Sequence, residues 1–123
     1  MNQEENLLIA IRSAIEAGRE ILEIYQTDFA IESKEDRTPL TTADKRSHEV
    51  INSMLANTGI PELSEEGRHL SYNERIKWES LWIVDPLDGT KEFIKRNGEF
   101  TVNIALVTQQ KPVLGVIYIP VTK

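Results

Sequence analysis

Cysteine is absent from the 123 residues of the chain, and histidine occurs only twice, as His48 and His69. Without cysteine the chain cannot form a disulfide, a thiolate metal site or a thiol nucleophile. The two histidines have no ligand-like spacing to each other or to the acidic residues, so we expect surface roles for both. Any metal chemistry must therefore rest mainly on oxygen ligands.

Basic residues are outnumbered by acidic ones, and long apolar runs are missing. The chain has 14 Lys and Arg against 20 Asp and Glu, a formal net charge of -6, which argues against binding to a nucleic-acid polymer. No apolar run approaches the length of a signal core or a membrane span, so we expect a cytoplasmic protein without a span. The hydrophobic content of 40% suffices for the core of one domain.

The first half of the chain shows two segments with helical periodicity. Apolar residues recur at helical spacing over residues 7–25 and predict a long amphipathic helix, with Gly18 at a close crossing. A short strand is expected around residues 29–31. A second helix is predicted to begin at Thr41 and Thr42, which are cap candidates, and to end at 57–59.

The second half of the chain shows strand patterns. A short strand over 60–64 is predicted to lead to Glu65 and Glu66, and Leu81–Val84 reads as a buried strand that Pro86 ends. Residues 100–106 alternate between apolar and polar side chains. A turn at 109–112 then leads into an apolar run at 113–119, which predicts an antiparallel hairpin.

The order of these elements predicts an α+β fold. In it, a layer of two helices packs on an antiparallel or mixed sheet. Helices on one side only would leave an apolar sheet face uncovered. We therefore expect either a longer chain or a homodimer.

The strongest chemical signal lies in residues 82–90. Asp85 and Asp88 stand on a proline-stiffened segment directly after an apolar strand, and carboxylates in such a place suit a hard cation. Gly89 lets the backbone approach a ligand, and Thr90 can begin a helix whose free N–H groups suit an anion. A metal site beside a phosphate site is the prediction, although the same two aspartates could also simply decorate a turn.

Other polar residues have plain readings when they are taken alone. Glu65 and Glu66 would be a solvated acidic pair, and Asp44 would serve the cap or the dipole of a first helical turn. Lys34 would be a solvated loop charge or, beside a phosphate site, a substrate-positioning group. If the strands predicted at 60–64 and 81–84 are neighbours, however, three or four carboxylates converge and need cations between them.

The pattern Trp-Ile-Val-Asp-Pro-Leu-Asp-Gly-Thr at 82–90 resembles the main signature of a lithium-sensitive, magnesium-dependent phosphomonoesterase superfamily that includes the inositol monophosphatases. Thr41–Asp44 and Glu65–Glu66 resemble two further motifs of that superfamily, in the same order. Residues 91–104 resemble its 3'(2'),5'-bisphosphate nucleotidase branch, whereas inositol monophosphatases more usually have Thr-Asn-Phe after Gly-Thr.

The resemblance extends over nearly all of the chain but over only about the N-terminal half of a family member. It implies that residues 1–123 form the N-terminal metal- and phosphate-binding domain of a layered αβαβα sugar-phosphatase fold. The C-terminal domain, with a further aspartate for the second ion and the groups that hold the adenosine, would lie outside this chain and be joined in cis.

Carried over residue by residue, the resemblance implies two or more Mg²⁺ ions in the intact site. Glu65, Asp85 and the carbonyl of Leu87 would hold one ion. Asp85 would be shared with a second ion that Asp88 also binds. Glu65 and Asp88 would in addition border the substrate.

The resemblance also implies roles for three neighbouring residues. Asp44 and Thr90 would orient and deprotonate the attacking water, while the N–H groups of Gly89 and Thr90 would hold the phosphate. The implied reaction is hydrolysis of 3'-phosphoadenosine 5'-phosphate, a small phosphorylated nucleotide, to AMP and phosphate, which would clear a by-product of sulfate activation. An inositol or sugar phosphate phosphatase of the same fold, or a non-catalytic metal-binding half-chain, is the alternative.

Overall fold

A computed structural model describes residues 2–26, 38–64 and 79–121 of the chain. The predicted strand at 29–31 and the residues Lys34, Glu65, Glu66 and His69 lie outside these ranges. The helices are α1 (Gln3–Tyr25), α2 (Thr38–Leu55), a short 3-10 helix (Ala56–Thr58) and α3 (Thr90–Lys95). The strands are β1 (Glu62–Ser64), β2 (Ser80–Asp88), β3 (Thr101–Thr108) and β4 (Lys111–Tyr118).

The four strands form one mixed sheet in the order β1-β2-β3-β4. Strand β1 runs parallel to β2, and the other neighbours are antiparallel. The helices α1 and α2 pack against each other and on one face of this sheet. The predicted α+β architecture is therefore confirmed. Within the described ranges, no helix combines the length and the apolar character needed to cross a membrane.

The core lies between the helix pair and the alternating apolar side chains of β2 and β3. Small residues on the inner face of α1 allow the helix to approach the sheet closely. A Cβ atom added to Gly18 would lie 2.5 Å from the ring of Tyr118 in β4, which confirms the predicted close crossing. The fully or almost fully buried members of this core include Ala10, Ala14, Ala17, Ile21, Ile51, Trp82, Val84, Val102 and Ile104.

Helix α2 begins earlier than the sequence suggested. It starts at Thr38, so Thr41 and Thr42 lie inside the helix and do not cap it. Pro39 does not prevent this start, because a backbone N–H in the first turn has no partner within the helix and its loss costs little. Asp44 is consequently well inside α2, and its reading as a capping or first-turn acid is wrong. The end of α2 agrees with the prediction, since the 3-10 helix after it is closed by Gly59 at φ 72°.

The hairpin between β3 and β4 is tighter than predicted. Thr108 pairs with Lys111, so the turn consists of Gln109 and Gln110, at φ 50° and 66°. Two positive φ values match the twist of a two-residue hairpin, although such turns usually contain Asn or Gly. Pro112 therefore belongs to β4, which pairs only with β3 in the described sheet. An edge strand tolerates the missing N–H of a proline.

Candidate metal and phosphate site

The segment that carries both aspartates is a continuation of β2 and not a loop after it. Strand β2 runs on to Asp88, so the prediction that Pro86 ends the strand is wrong. Proline instead interrupts the hydrogen-bond ladder locally, since it has no N–H to donate. Between the paired positions of Asp85 and Asp88, two residues of β2, Pro86 and Leu87, lie opposite the single residue Val102 of β3. This arrangement is a β-bulge.

The bulge decides the direction of the two carboxylates. Residues three apart in a regular strand point to opposite faces of the sheet, because side chains alternate. Here Asp85 pairs with Asn103 and Asp88 pairs with Thr101. Asn103 and Thr101 are two apart on β3 and share a face, so the extra residue brings both aspartates to that same face. The amide of Asn103 confirms this, since its Nδ2 donates a hydrogen bond of 3.2 Å to Oδ2 of Asp88.

This face of the sheet is the one that α1 and α2 do not cover. A shallow cavity of about 580 Å³ lies on it. Asp85 and Asn103 line the cavity together with apolar side chains such as Leu63, Ile83 and Ile117. Asp85 therefore borders an apolar concavity and does not stand on an isolated polar surface.

The end of β1 lies beside Asp85, because β1 and β2 are neighbours in the sheet. Ser64, the last residue of β1, pairs with Val84, the residue before Asp85. Glu65 follows Ser64 in the chain but lies outside the described residues, so its place in the site stays a prediction. Within 2–26, 38–64 and 79–121, no group of three or more acidic or histidine side chains is arranged to hold a metal ion.

The backbone around Leu87 and Gly89 leaves little room for side chains. Leu87 is only 3% exposed, so its side chain belongs to the core and only its carbonyl is left for a cation. Gly89 has φ 88°, and a Cβ atom there would lie 3.2 Å from the Cα of Phe100 and 3.5 Å from the carbonyl of Glu99. Thr90 is the first residue of α3, as predicted, and it is exposed.

Three aromatic rings hold α3 against the end of α1. The ring of Phe93 lies 5.3 Å from that of Phe100 and 5.5 Å from that of Tyr25, and the rings of Tyr25 and Phe100 are 4.9 Å apart. The guanidinium of Arg96 lies 5.8 Å from the Tyr25 ring and donates a hydrogen bond to the Tyr25 carbonyl. Sequence reasoning missed this anchor, although Phe93 lies within α3 and Phe100 follows the helix in the sequence.

Helix α2 is tied to the bulge by a residue that the sequence did not single out. The hydroxyl of Ser47 is fully buried and donates a hydrogen bond of 2.7 Å to the carbonyl of Pro86. Asp44 is half-buried and lies three residues earlier, on the same side of α2. The contact of Ser47 therefore turns the side of α2 that carries Asp44 towards the bulge.

Glu62 and His48 form a second polar feature that sequence reasoning missed. Burial raises the pKa of Glu62 above its ordinary value of 4.5, and the charge of nearby His48 partly opposes that rise. The Oε1 atom of Glu62 is buried and accepts no hydrogen bond from the described residues. His48 is half-buried, so the surface role expected for it is only partly realised.

Residues 2–123 match the model of the inositol monophosphatase family. The chain belongs to the inositol monophosphatase family. Among family members, the 3'(2'),5'-bisphosphate nucleotidase CysQ of Salmonella typhimurium is 52% identical over 111 residues, which cover 87% of this chain and 45% of that protein. The CysQ of Haemophilus influenzae is 43% identical over 117 residues, 94% of this chain and 42% of that protein.

Solved structures of the family agree with this assignment. CysQ from Bacteroides thetaiotaomicron has a TM-score of 0.88 and 54% identity, covering 96% of this chain and 43% of that chain. An inositol monophosphatase from Anabaena has a TM-score of 0.77 and 30% identity, covering 98% of this chain and 42% of that chain. The family fold is therefore shown, and the chain spans less than half the length of each of these relatives.

Proposed function

We propose that residues 1–123 are the N-terminal metal- and phosphate-binding domain of a Mg²⁺-dependent phosphomonoesterase that hydrolyses 3'-phosphoadenosine 5'-phosphate to AMP and phosphate. The observation that carries the proposal is the bulge of β2, which turns Asp85 and Asp88 to one face just before α3 begins. The relatives named 3'(2'),5'-bisphosphate nucleotidase support the substrate. Clearance of this product of sulfate activation by a cytoplasmic, lithium-sensitive enzyme belongs to the same proposal.

The donors near the bulge fit Mg²⁺. Carboxylate and carbonyl oxygens are the ligands that this hard cation prefers. Asp85 and Asp88 supply carboxylates on one face, and the carbonyl of Leu87 lies between them in the chain. Glu65, Asp85 and the carbonyl of Leu87 would hold one ion, and Asp85 and Asp88 would hold a second. When bound, such ions lower the pKa of a water and neutralise charge on the leaving oxygen.

The remaining roles belong to residues beside the bulge. Asp44 and Thr90 orient the attacking water, and Asp44 accepts its proton. Ser47 keeps the side of α2 with Asp44 turned towards the bulge through its bond to Pro86. The N–H groups of Gly89 and Thr90 hold the phosphate, and the left-handed backbone of Gly89 leaves that approach free of a side chain. Glu65 and Asp88 border the substrate.

The experiment uses a full-length protein that contains this chain. We expect a higher kcat/KM for 3'-phosphoadenosine 5'-phosphate than for inositol 1-phosphate, with Mg²⁺ present. Asp85→Asn should weaken Mg²⁺ binding in calorimetry by more than about tenfold, because an amide of similar size removes the shared negative charge. Glu49→Gln, an exposed carboxylate on α2, is the control that changes the same charge elsewhere.

Each alternative has its own result. Equal or reversed preference for inositol 1-phosphate would favour an inositol or sugar phosphate phosphatase of the same fold. Mg²⁺ binding without turnover of any phosphomonoester would favour a non-catalytic metal-binding unit. Unchanged Mg²⁺ affinity in the Asp85→Asn variant would contradict the shared-ligand role.

A further inference from the structure

Asn103 lies opposite Asp85 on the neighbouring strand β3, and its side chain reaches Asp88. It pairs with Asp85 across β2 and β3, and its Nδ2 donates to Oδ2 of Asp88 at 3.2 Å. A carboxylate can only accept a hydrogen bond, so this contact fixes which end of the amide is the nitrogen. The amide oxygen Oδ1 then points away from Asp88.

That oxygen is buried and accepts no hydrogen bond from any described residue. A buried acceptor without a donor is costly and uncommon in native proteins, so such an atom needs an explanation. The Asn103 side chain lines the cavity that Asp85 also lines. The unsatisfied oxygen therefore costs stability, and what the amide contributes to the site is the hydrogen bond from its Nδ2 to Asp88.

An amide is well suited to this place because it is neutral. A lysine or arginine would also bond to Asp88, but its charge would compete with a cation for the carboxylate. An apolar side chain would leave the carboxylate free to rotate. A neutral donor orients one carboxylate oxygen and leaves the negative charge available to an ion, which is the usual task of groups behind metal ligands.

Resting on the proposed function, we propose that Asn103 is a positioning residue of the cation site. Its Nδ2 would hold the Asp88 carboxylate in the orientation that suits the ion.

The test compares Asn103→Leu and Asn103→Thr in the full-length protein. Leucine has nearly the same shape but no polar atoms, and threonine keeps a hydroxyl donor on a β-branched side chain. We expect Asn103→Leu to weaken Mg²⁺ binding in calorimetry by about 10- to 100-fold. Asn103→Thr should recover part of that loss. Thr101→Val, two residues earlier on the same face, is the control that removes a hydroxyl and should bind Mg²⁺ like the wild type.

A second measurement separates positioning from a structural role. Without Mg²⁺ the Asn103→Leu protein should unfold at the wild-type temperature or above it, since the unsatisfied oxygen is gone; the stabilisation by Mg²⁺ should shrink. Mg²⁺ affinity of the Asn103→Leu protein within about twofold of wild type would overturn the proposal, whether or not its metal-free Tm is lowered. Equal losses of Mg²⁺ affinity in the Leu and Thr variants would also overturn it.

These results remain distinct from a failure of the proposed function. A wild-type protein that binds Mg²⁺ but prefers inositol 1-phosphate would refute the substrate assignment, and a weakened Asn103→Leu variant of that protein would still support the role of Asn103. An active wild type with an unaffected Asn103→Leu variant would refute only the role of Asn103. A wild-type protein that binds no Mg²⁺ would refute both.

Discussion

At the scale of single residues, the direction of a carboxylate depends on one extra residue in β2. Asp85 and Asp88 are three apart and would point to opposite faces of a regular strand. Because Pro86 and Leu87 share one partner on β3, both acids turn to the face of Asn103. A regular pairing of β2 with β3 through all four residues 85–88 would instead place the two acids on opposite faces of the sheet.

The ionisation of Glu62 should affect the stability of the protein. Its folded-state pKa is raised by burial, so its contribution to stability is fully present below about pH 4.5 and is lost as the pH rises through the folded pKa. Glu62→Gln removes the ionisable group. The stability of the variant relative to wild type should therefore increase between pH 4 and pH 7, as measured by urea unfolding at each pH.

A second variant separates ionisation from hydrogen bonding at this position. Glu62→Met also lacks the carboxyl group but, unlike glutamine, has no amide to bond with a neighbour such as His48. Both variants should show the same pH dependence relative to wild type, even if their absolute stabilities differ. If the unfolding free energy of each variant differs from that of wild type by the same amount at every pH, burial does not shift the pKa of Glu62.

At the scale of elements, α3 is a helix of six residues that cannot be stable by itself. Its position is set from outside, by the packing of Phe93 on Phe100 and Tyr25 and by the left-handed backbone of Gly89. The N–H groups proposed to bind the phosphate lie where α3 begins. This anchoring therefore places them next to Asp88. The element is therefore a product of tertiary contacts.

Gly89→Ala and Gly59→Ala form a matched pair for this anchoring. Both glycines have positive φ, 88° and 72°, and alanine should cost each about 1–2 kcal/mol of unfolding free energy. A Cβ atom meets nothing within 4 Å at Gly59 but lies 3.2 Å from backbone at Gly89. We expect a further loss of about 1–3 kcal/mol for Gly89→Ala, measured by denaturant unfolding without Mg²⁺. Equal losses would show that the packing around α3 relaxes freely.

At the scale of the whole molecule, the described sheet is covered by helices on one face only. The other face carries Ile83, 45% exposed, and Ile117, 76% exposed, beside the cavity that Asp85 lines. Exposed apolar area next to polar groups is typical of a surface that another segment or a ligand covers. The relatives are more than twice as long as the segment that matches this chain. In our proposal, a C-terminal domain joined in cis covers this face.

The 123-residue chain by itself should bind an apolar fluorescent dye through this face. Ile117→Thr keeps the β-branched shape and should reduce dye binding, while the free energy of unfolding stays within about 0.5 kcal/mol of wild type because the side chain is exposed. Leu8→Gln removes a similarly apolar residue, 52% exposed, from α1 and is the control. An equal reduction by Leu8→Gln would mean that the dye does not report on the sheet face.

The sequence by itself determined the local features of this protein. Periodicity was enough for both long helices and for β3, because apolar spacing of 3.6 and 2 residues follows from backbone geometry. The start of α3 at Thr90, directly after Gly89, was likewise readable, since glycine acts on the chain locally. The start of α2 was misplaced, because Pro39 reads as a breaker where it is in fact a compatible first-turn residue.

Only the tertiary structure decided how these features meet. The bulge that aligns Asp85 with Asp88 depends on the pairing of β2 with β3. The residues near the two acids in the sequence do not determine the register of that pairing. The same is true of Ser47 on Pro86 and of Asn103 on Asp88, which join residues 39 and 15 positions apart. A lone serine or asparagine has many uses, and its partner is set by the packing of whole elements. The residue types therefore indicated the chemistry proposed for the site. Its geometry depends on how the strands and helices pack together.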